Sequence, residues 1–399
     1  MTALVSIVKA GSYDAEVIEN ALRKSIDSLG GIGKFVKPGA TVHIKPNIVM
    51  AKGPATAVAI HPEIIRALGR MIKAAGARAI IAESPGGPYM PETLRAAYAF
   101  SGIGKAAQET DIELNYDTSY QRKKNPQGKY LKTVDIITPL ADSSCIINVC
   151  KLKTHGQMVY SGAVKNMFGA VPGTLKLEQH MRLSEYDQFA DGLIDVFLSV
   201  KPVLNIMDAV LSMEGYGPTA GNPRQTGLIL ASEDAFALDS AAVAIVGINP
   251  ADVPVLKQGR ERNLAPANLS SIEFPDEKPE AVKVPDFKIP QLDKLLTIQF
   301  VRAYPFLQFL MESFRPRPVF TNRCVKCGEC AELCPAKVLT MGKNGPSVNL
   351  KKCIRCFCCQ ELCRVKAVEI KRRFLARAAL AAMQGVMLAV KPFLRRLKY

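Results

Sequence analysis

The sequence predicts an α/β protein with a mainly parallel sheet and flanking helices, joined to a small α+β module rich in cysteine. Three observations carry this expectation. Up to about Asn268, short β-branched runs alternate with stretches of helical periodicity, as strands and their crossover helices do. The strand-like runs are apolar on both faces, which suits strands buried on both sides. Finally, nine of the eleven cysteines fall in the last quarter of the chain.

Strands are expected at residues 4–8, 41–45, 79–83, 145–149, 203–207 and 228–231. Between the second and third, Ile64, Ile65, Leu68, Met71, Ile72 and Ala75 recur at helical spacing. Pro62 and Glu63 open that helix and Gly76 closes it. Residues 274–291 are rich in Pro, Asp, Glu and Lys without periodicity and read as a linker. An apolar helical stretch follows at 295–314, broken by Arg315-Pro316-Arg317-Pro318. The chain thus divides into an α/β domain (1–273), a linker with an apolar helix (274–319), the cysteine module (320–370) and a basic apolar C-terminal helix (371–399).

Charge is distributed unevenly. Of the formal +16, residues 371–399 carry +8 with no acidic residue and residues 321–370 carry +5, which leaves +3 for the first 320 residues. A nucleic-acid surface would spread basic residues over a folded face with aromatic residues for stacking, and neither is present, so no nucleic acid is expected. An acidic partner or an anionic membrane surface suits the tail better. Residues 374–394 would reach roughly 31 Å as a helix, barely a span, and basic clusters flank both ends. Packing of this helix, against residues 295–314, is the favoured reading and membrane-surface contact the alternative. Met1 to Tyr13 lacks the regions of a signal peptide, and clustered cysteines suit a reducing compartment. A cytoplasmic location is therefore expected, with peripheral attachment at the inner face of the membrane as its extension.

Cys324, Cys327, Cys330 and Cys334-Pro335 follow the bacterial-ferredoxin spacing C-x2-C-x2-C-x3-C-P, and Cys353, Cys356, Cys359 and Cys363 repeat it. In that arrangement three thiolates wrap one cluster and the fourth reaches the other. Two 4Fe-4S clusters are expected, one on Cys324, Cys327, Cys330 and Cys363, the other on Cys353, Cys356, Cys359 and Cys334. Structural zinc would prefer paired C-x2-C elements. Two departures occur: Arg364 replaces the second proline, and Cys358 is an additional thiol, read as a non-ligand. Two such clusters commonly carry single electrons, and the basic residues around them favour an acidic redox partner protein.

In an open parallel sheet, ligands bind beyond the carboxyl ends of the strands. Polar residues that follow the predicted strands include Lys45-Pro46-Asn47, Glu83-Ser84-Pro85-Gly86-Gly87, Lys151-Leu152-Lys153-Thr154-His155 and Asp208. The segment from Gly162 to Gly169 adds Lys165 and Asn166 among small residues, as a backbone approaching an anion would need. Lys153, His155 and Glu83 are the candidate catalytic residues. Lys45, Asn47, Lys165, Asn166, Asp208 and Asp239 are the candidate substrate-binding residues, for an acidic small molecule or cofactor precursor. His43 and His61 read as packing or capping residues, and His180 is unassigned. Gly215-Tyr216-Gly217-Pro218-Thr219-Ala220-Gly221 lacks the third-glycine position and helix start of a dinucleotide fingerprint and reads as a mobile turn.

These motifs, with Asp208-Ala209-Val210 and Glu214-Gly215, resemble the "domain of unknown function 362" family over about the first 270 residues. The resemblance implies a ferredoxin-type 4Fe-4S module joined to that domain, as in many members, and implies no particular reaction. A more distant similarity is to the N-terminal domain of nickel-pincer lactate racemases. The functional expectation is an iron–sulfur oxidoreductase that passes electrons between its clusters and a strand-end pocket. Its rival is a non-catalytic electron-transfer or binding subunit whose α/β domain docks another enzyme.

Overall fold

The computed structural model describes residues 2–290 and 316–371. An eight-stranded sheet organises the larger part. From edge to edge the strands run Ser6–Lys9, Asn222–Ser232, Leu204–Glu214, Ile146–His155, Thr41–Pro46, Arg78–Ile81 and Glu113–Leu114, with Val159–Ser161 folded back on Ile146–His155. Only Asn222–Ser232 and Val159–Ser161 pair antiparallel with their neighbours; the rest share one direction. The α/β class is therefore as the sequence predicts.

Helices cover both faces, and successive residues of the middle strand feed opposite cores. Ile147 and Val149 join Ile18, Leu22, Ile64 and Leu68 on one side. Cys150 and Leu152 join Phe189, Leu193, Leu238 and Val243 on the other. This is the period-two alternation of a pleated strand. The helix Pro62–Ala74 starts where expected, with His61 as its cap: His61 Nδ1 accepts from Glu63 N at 3.2 Å. Gly76, at φ +74°, follows its last turn, a conformation that disfavours any side chain.

Two expectations on the chain's organisation change. Residues 274–290 are fastened to the domain: Glu277 N donates to Ile7 O at 3.1 Å, Val284 N to Ile245 O at 2.9 Å, and Phe287 is buried in the core. The composition that reads as linker is that of an extended strap on the domain surface. The 215–221 segment is also pinned. Gly215 N donates to Lys288 O at 2.7 Å and Gly156 N to Gly217 O at 2.9 Å. A Cβ on Gly217 would collide with Thr154 O, so close backbone approach accounts for that glycine. The apolar helix expected at 295–314 and the C-terminal helix at 374–394 lie outside the described residues.

Residues 316–371 form a compact α+β unit. Arg317–Phe320 pairs antiparallel with Val368–Lys371, and Leu339–Gly342 with Gly345–Val348. The short helices Glu329–Glu332 and Cys358–Glu361 each follow a cysteine loop. The unit packs on the strand-end edge of the large sheet. Gln360 Nε2 donates to Tyr216 O at 2.9 Å, Thr219 Oγ1 to Glu361 O at 2.9 Å, and Lys52 Nζ to Arg364 O at 2.6 Å.

A row of side-chain amides crosses the sheet beneath this contact. Asn47 Nδ2 donates to Asn166 Oδ1 (2.8 Å), Asn166 Nδ2 to Asn148 Oδ1 (2.7 Å) and Asn148 Nδ2 to Asn205 Oδ1 (2.8 Å). Replacing Asn148 by Leu takes away the Asn148 partner of Asn166 Nδ2, Asn205 Oδ1 and Ala163 O in the core. We expect a loss of about 2–4 kcal/mol in urea unfolding, against about 1 kcal/mol for Ile147→Val on the same strand.

Candidate functional site

The middle strand Ile146–His155 is buried over its whole length although five of its last eight residues are polar. Each of these needs a partner, because an unpaired polar group in the core costs more than its hydrogen bond would gain. The partners come from distant segments. Lys151 Nζ donates to Asp208 Oδ2 at 2.8 Å, and Asp208 also accepts from Tyr13 OH and His61 N. Lys153 Nζ donates to Asn47 Oδ1 and, at 2.9 Å, to Val58 O. With only neutral acceptors and with Lys151, Lys165 and Lys45 nearby, burial first and repulsion second hold the Lys153 amine well below the usual lysine range.

The neighbouring strand end supplies a matched pair. Lys45 Nζ lies 2.9 Å from Glu83 Oε2, and both side chains are almost wholly buried. Glu83 accepts as well from Ile48 N (3.2 Å) and Ser84 N (2.9 Å), so its oxygens are occupied. Burial lowers the Lys45 pKa and the Glu83 charge opposes that shift. A Cβ on Gly169 would strike both members of the pair, and one on Gly162 would strike Asp239 and Tyr160. These glycines make room for buried polar side chains of the protein itself, a reason different from the ligand approach the sequence implied.

A cavity of about 780 Å³, counting its open mouth, lies against this edge. Lys45, Asn47, Glu83, Lys165 and Asn166 line it. Lys153 and His155 lie just behind, fully buried and outside its lining. Asp208 and Asp239 are set apart: Asp208 serves Lys151 and Tyr13, while Asp239 accepts from Ala163 N, Val164 N and Tyr160 OH. Each carboxylate is consumed by its own network and does not reach the cavity.

The opposite wall comes from the cysteine unit, through Cys358, Glu361 and Leu362. Helical geometry explains this division. Cys358 and Glu361 stand three residues apart on the helix Cys358–Glu361 and turn toward the strand-end cavity, while Cys359, one residue after Cys358, turns away from it. Glu361 Oε1 lies 3.2 Å from His155 Nε2. Backbone N–H groups of Gln157 and Met158 donate to His155 Nδ1, which leaves the ring proton of neutral His155 on Nε2, close to that carboxylate but not hydrogen-bonded to it. Burial pushes Glu361 up to about 7, opposed by Lys165 and Lys153. The Cys358 thiol is held well above its ordinary value by its hydrogen bond with Cys356 and by burial.

Sequence reasoning missed Lys176 and left His180 unassigned. Both stand on the helix Leu175–Arg182, four residues apart, and both face the cavity. Lys176 Nζ donates to Ser84 O, Ser84 Oγ and Pro85 O. The i, i+4 pairing of the two was the available signal; the loop they reach was not. His180 stacks on Phe189 with ring centroids 4.2 Å apart, and its Nδ1 has no hydrogen-bond partner among the described residues. Burial takes the His180 pKa down to about 3, so the ring is neutral.

The eight ferredoxin-spaced cysteines fall into two sets in space. Cys334, Cys353, Cys356 and Cys359 line one cavity, and Cys324, Cys327, Cys330 and Cys363 line another. Cys358 lines neither. Among the described residues, no three His, Cys, Asp or Glu side chains gather closely enough to share a single metal ion. Four thiols spread around a cavity fit a polynuclear cluster.

Burial takes Lys176 down to about 7. Between that value and the ordinary lysine pKa of about 10.4, the native chain binds fewer protons than the unfolded one. The contribution of Lys176 to stability therefore rises with pH across this window and is lowest below about 7. In ¹³C-methylated protein, the lysine signal removed by Lys176→Met is expected to titrate near neutrality. A midpoint at the ordinary lysine value would contradict the burial argument.

Several known proteins resemble this chain. Thylakoid-associated protein sll1697 of Synechocystis sp. is 31% identical over 307 residues, covering 75% of this chain and 91% of that protein. Among solved structures, the lactate racemase apoprotein of Thermoanaerobacterium thermosaccharolyticum matches at 10% identity and TM-score 0.38, over 61% of this chain and 57% of that one. A Thermotoga maritima protein matches at 13% identity and TM-score 0.33, over 57% of each chain. The chain thus spans little more than half of either solved structure. The family described as "Domain of unknown function (DUF362)" matches residues 42–244, and a 4Fe-4S dicluster domain matches residues 319–364. This chain belongs to the DUF362 family and carries an iron–sulfur domain of the 4Fe-4S dicluster type at its C-terminal end.

Proposed function

We propose that the chain is an iron–sulfur oxidoreductase whose strand-end cavity binds an acidic small molecule. Cys324, Cys327, Cys330 and Cys363 would hold one 4Fe-4S cluster, and Cys353, Cys356, Cys359 and Cys334 a second. When bound, such clusters supply or accept single electrons. The observation that carries this reading is the shared wall: the cavity lies between the α/β strand ends and the helix Cys358–Glu361, which is part of the second cysteine run.

The polar residues divide the work. Lys45 and Glu83 hold each other and the loop from Ile48, so their part is to shape the cavity. Asn47 and Asn166 fix its floor through the amide row. Lys153 keeps Asn47 oriented, and His155 lies beside Glu361, a carboxyl group that lines the cavity from the cysteine run. Lys165 reaches the cavity with its cation.

Lys326, Lys337, Lys343, Lys351 and Lys352 make the outer side of the cysteine unit basic, which supports docking of an acidic redox partner. Among the described residues no helix is long and apolar enough to cross a membrane. The thylakoid association named for the relative, with the +8 tail of this chain, supports peripheral membrane contact as part of the proposal.

Two measurements test it. Cys358→Ala should keep about eight iron atoms per chain, whereas Cys359→Ala should lose about half. Equal losses would overturn the non-ligand role of Cys358. Leu177→Trp should fill the cavity without touching a polar partner. Mass spectrometry of small molecules released from anaerobically purified protein should show an acid in the parent chain that this variant lacks, at unchanged iron content. No released acid in either, with undiminished reduction of a partner protein, would favour the non-catalytic subunit.

A further inference from the structure

The cavity's lysines are not equivalent, and the difference points to a chemical class of ligand. Lys45 is matched by Glu83, and the amino group of Lys176 is spent on three oxygens. Lys165 lies 5.7 Å from the centre of the Phe168 ring, and its amino group has no oxygen partner among the described residues. One amino group without a direct oxygen partner therefore faces the space, and Glu361 in the opposite wall is the carboxyl group whose charge acts on it. Beside Lys165 stands a buried, neutral histidine, 5% exposed, with an unpartnered Nδ1.

We propose that this cavity selects a monocarboxylate with an apolar body, the carboxylate held by Lys165 Nζ and His180 Nδ1. The body lies against Ile48, Val49, Leu177 and Leu362, the apolar part of the lining. This rests on the reading of the cavity as a ligand site. A carboxylate carries one charge and accepts in one plane, which one ammonium and one ring N–H satisfy.

A phosphate or nucleotide is the obvious competitor, because glycines are plentiful here. Phosphate sites use several free backbone N–H groups together with more positive charge. Several of those groups are already committed. Ser84 N donates to Gly169 O and Glu83 Oε1, Gly86 N to Val49 O, and Gly173 N to Ser84 Oγ. The N–H groups of Ala163 and Val164, which open the turn bearing Lys165, both donate to Asp239. Glu361 in the opposite wall adds a carboxyl group that a dianion would meet at close range.

The test is isothermal titration of the full chain, purified anaerobically with its iron content verified. The probes are cinnamate and cinnamamide, which share one body and differ in the head group, and phenyl phosphate, which carries a dianionic head group on the same ring. Cinnamate should bind, cinnamamide about tenfold or more weakly, and phenyl phosphate more weakly than cinnamate. Lys165→Met should lower cinnamate affinity about tenfold, and Lys165→Arg should bring it to within about threefold of the parent. His180→Phe, which retains the stack on Phe189, should lower it about fivefold. Each variant is read only at parental iron content and melting temperature, so a folding defect is not mistaken for lost binding. Tighter, Lys165-dependent binding of phenyl phosphate would overturn the carboxylate class and leave the cavity as a ligand site. Cinnamate binding that is absent, or unaffected by Lys165→Met, would overturn both.

Discussion

The buried ion pair between Lys45 and Glu83 is the interaction on which the strand-end edge depends. Taking two charges out of water costs several kcal/mol per ion, and removing one partner of such a pair typically costs about 3–5 kcal/mol. The chain meets this constraint with backbone donors from Ile48 and Ser84, the absence of a side chain at Gly169, and the Asn166 carbonyl oxygen, which accepts from both Lys45 and Asn47. Once those are in place, the loops after three strands have little freedom left. The rigid edge that results is what the cysteine unit packs against.

An excess of basic groups characterises the same edge. Lys45, Lys151, Lys153, Lys165 and Lys176 all have pKa values lowered chiefly by burial. Two have carboxylate partners and two rely on neutral oxygens. Buried amines of this kind lose their protons more readily than surface lysines, so the local charge is set by pairing and not by composition. A nearly neutral N-terminal part of the sequence thereby contains a concentrated basic locus.

Much of this was legible in the sequence, for local reasons. The apolar runs at 41–45 and 145–149 announce strands, and cysteine spacing is a property of a few consecutive residues. The continuation of the middle strand to His155 was not legible. Lys151 and Lys153 become strand residues only because Asp208, Asn47 and Val58 arrive from elsewhere to accept from them. His180 was unassigned, and neither Lys176 nor Glu361 stood out in the sequence. Their roles arise when the cysteine unit packs on the sheet, an event with no local signature. The 215–221 segment failed for a related reason: its glycines read as freedom, whereas they allow the backbone of another segment to come close.

The shared wall also bears on how such proteins can be rearranged. In sequence, the α/β domain and the cysteine unit look like two beads that could be exchanged for others. In space, one cavity needs both, since Lys165 faces from one and Glu361 from the other. A foreign ferredoxin unit grafted in place of this one could preserve every cysteine and still remove half of the chamber. The unit of inheritance for whatever specificity this chamber has is therefore the joint between the domains.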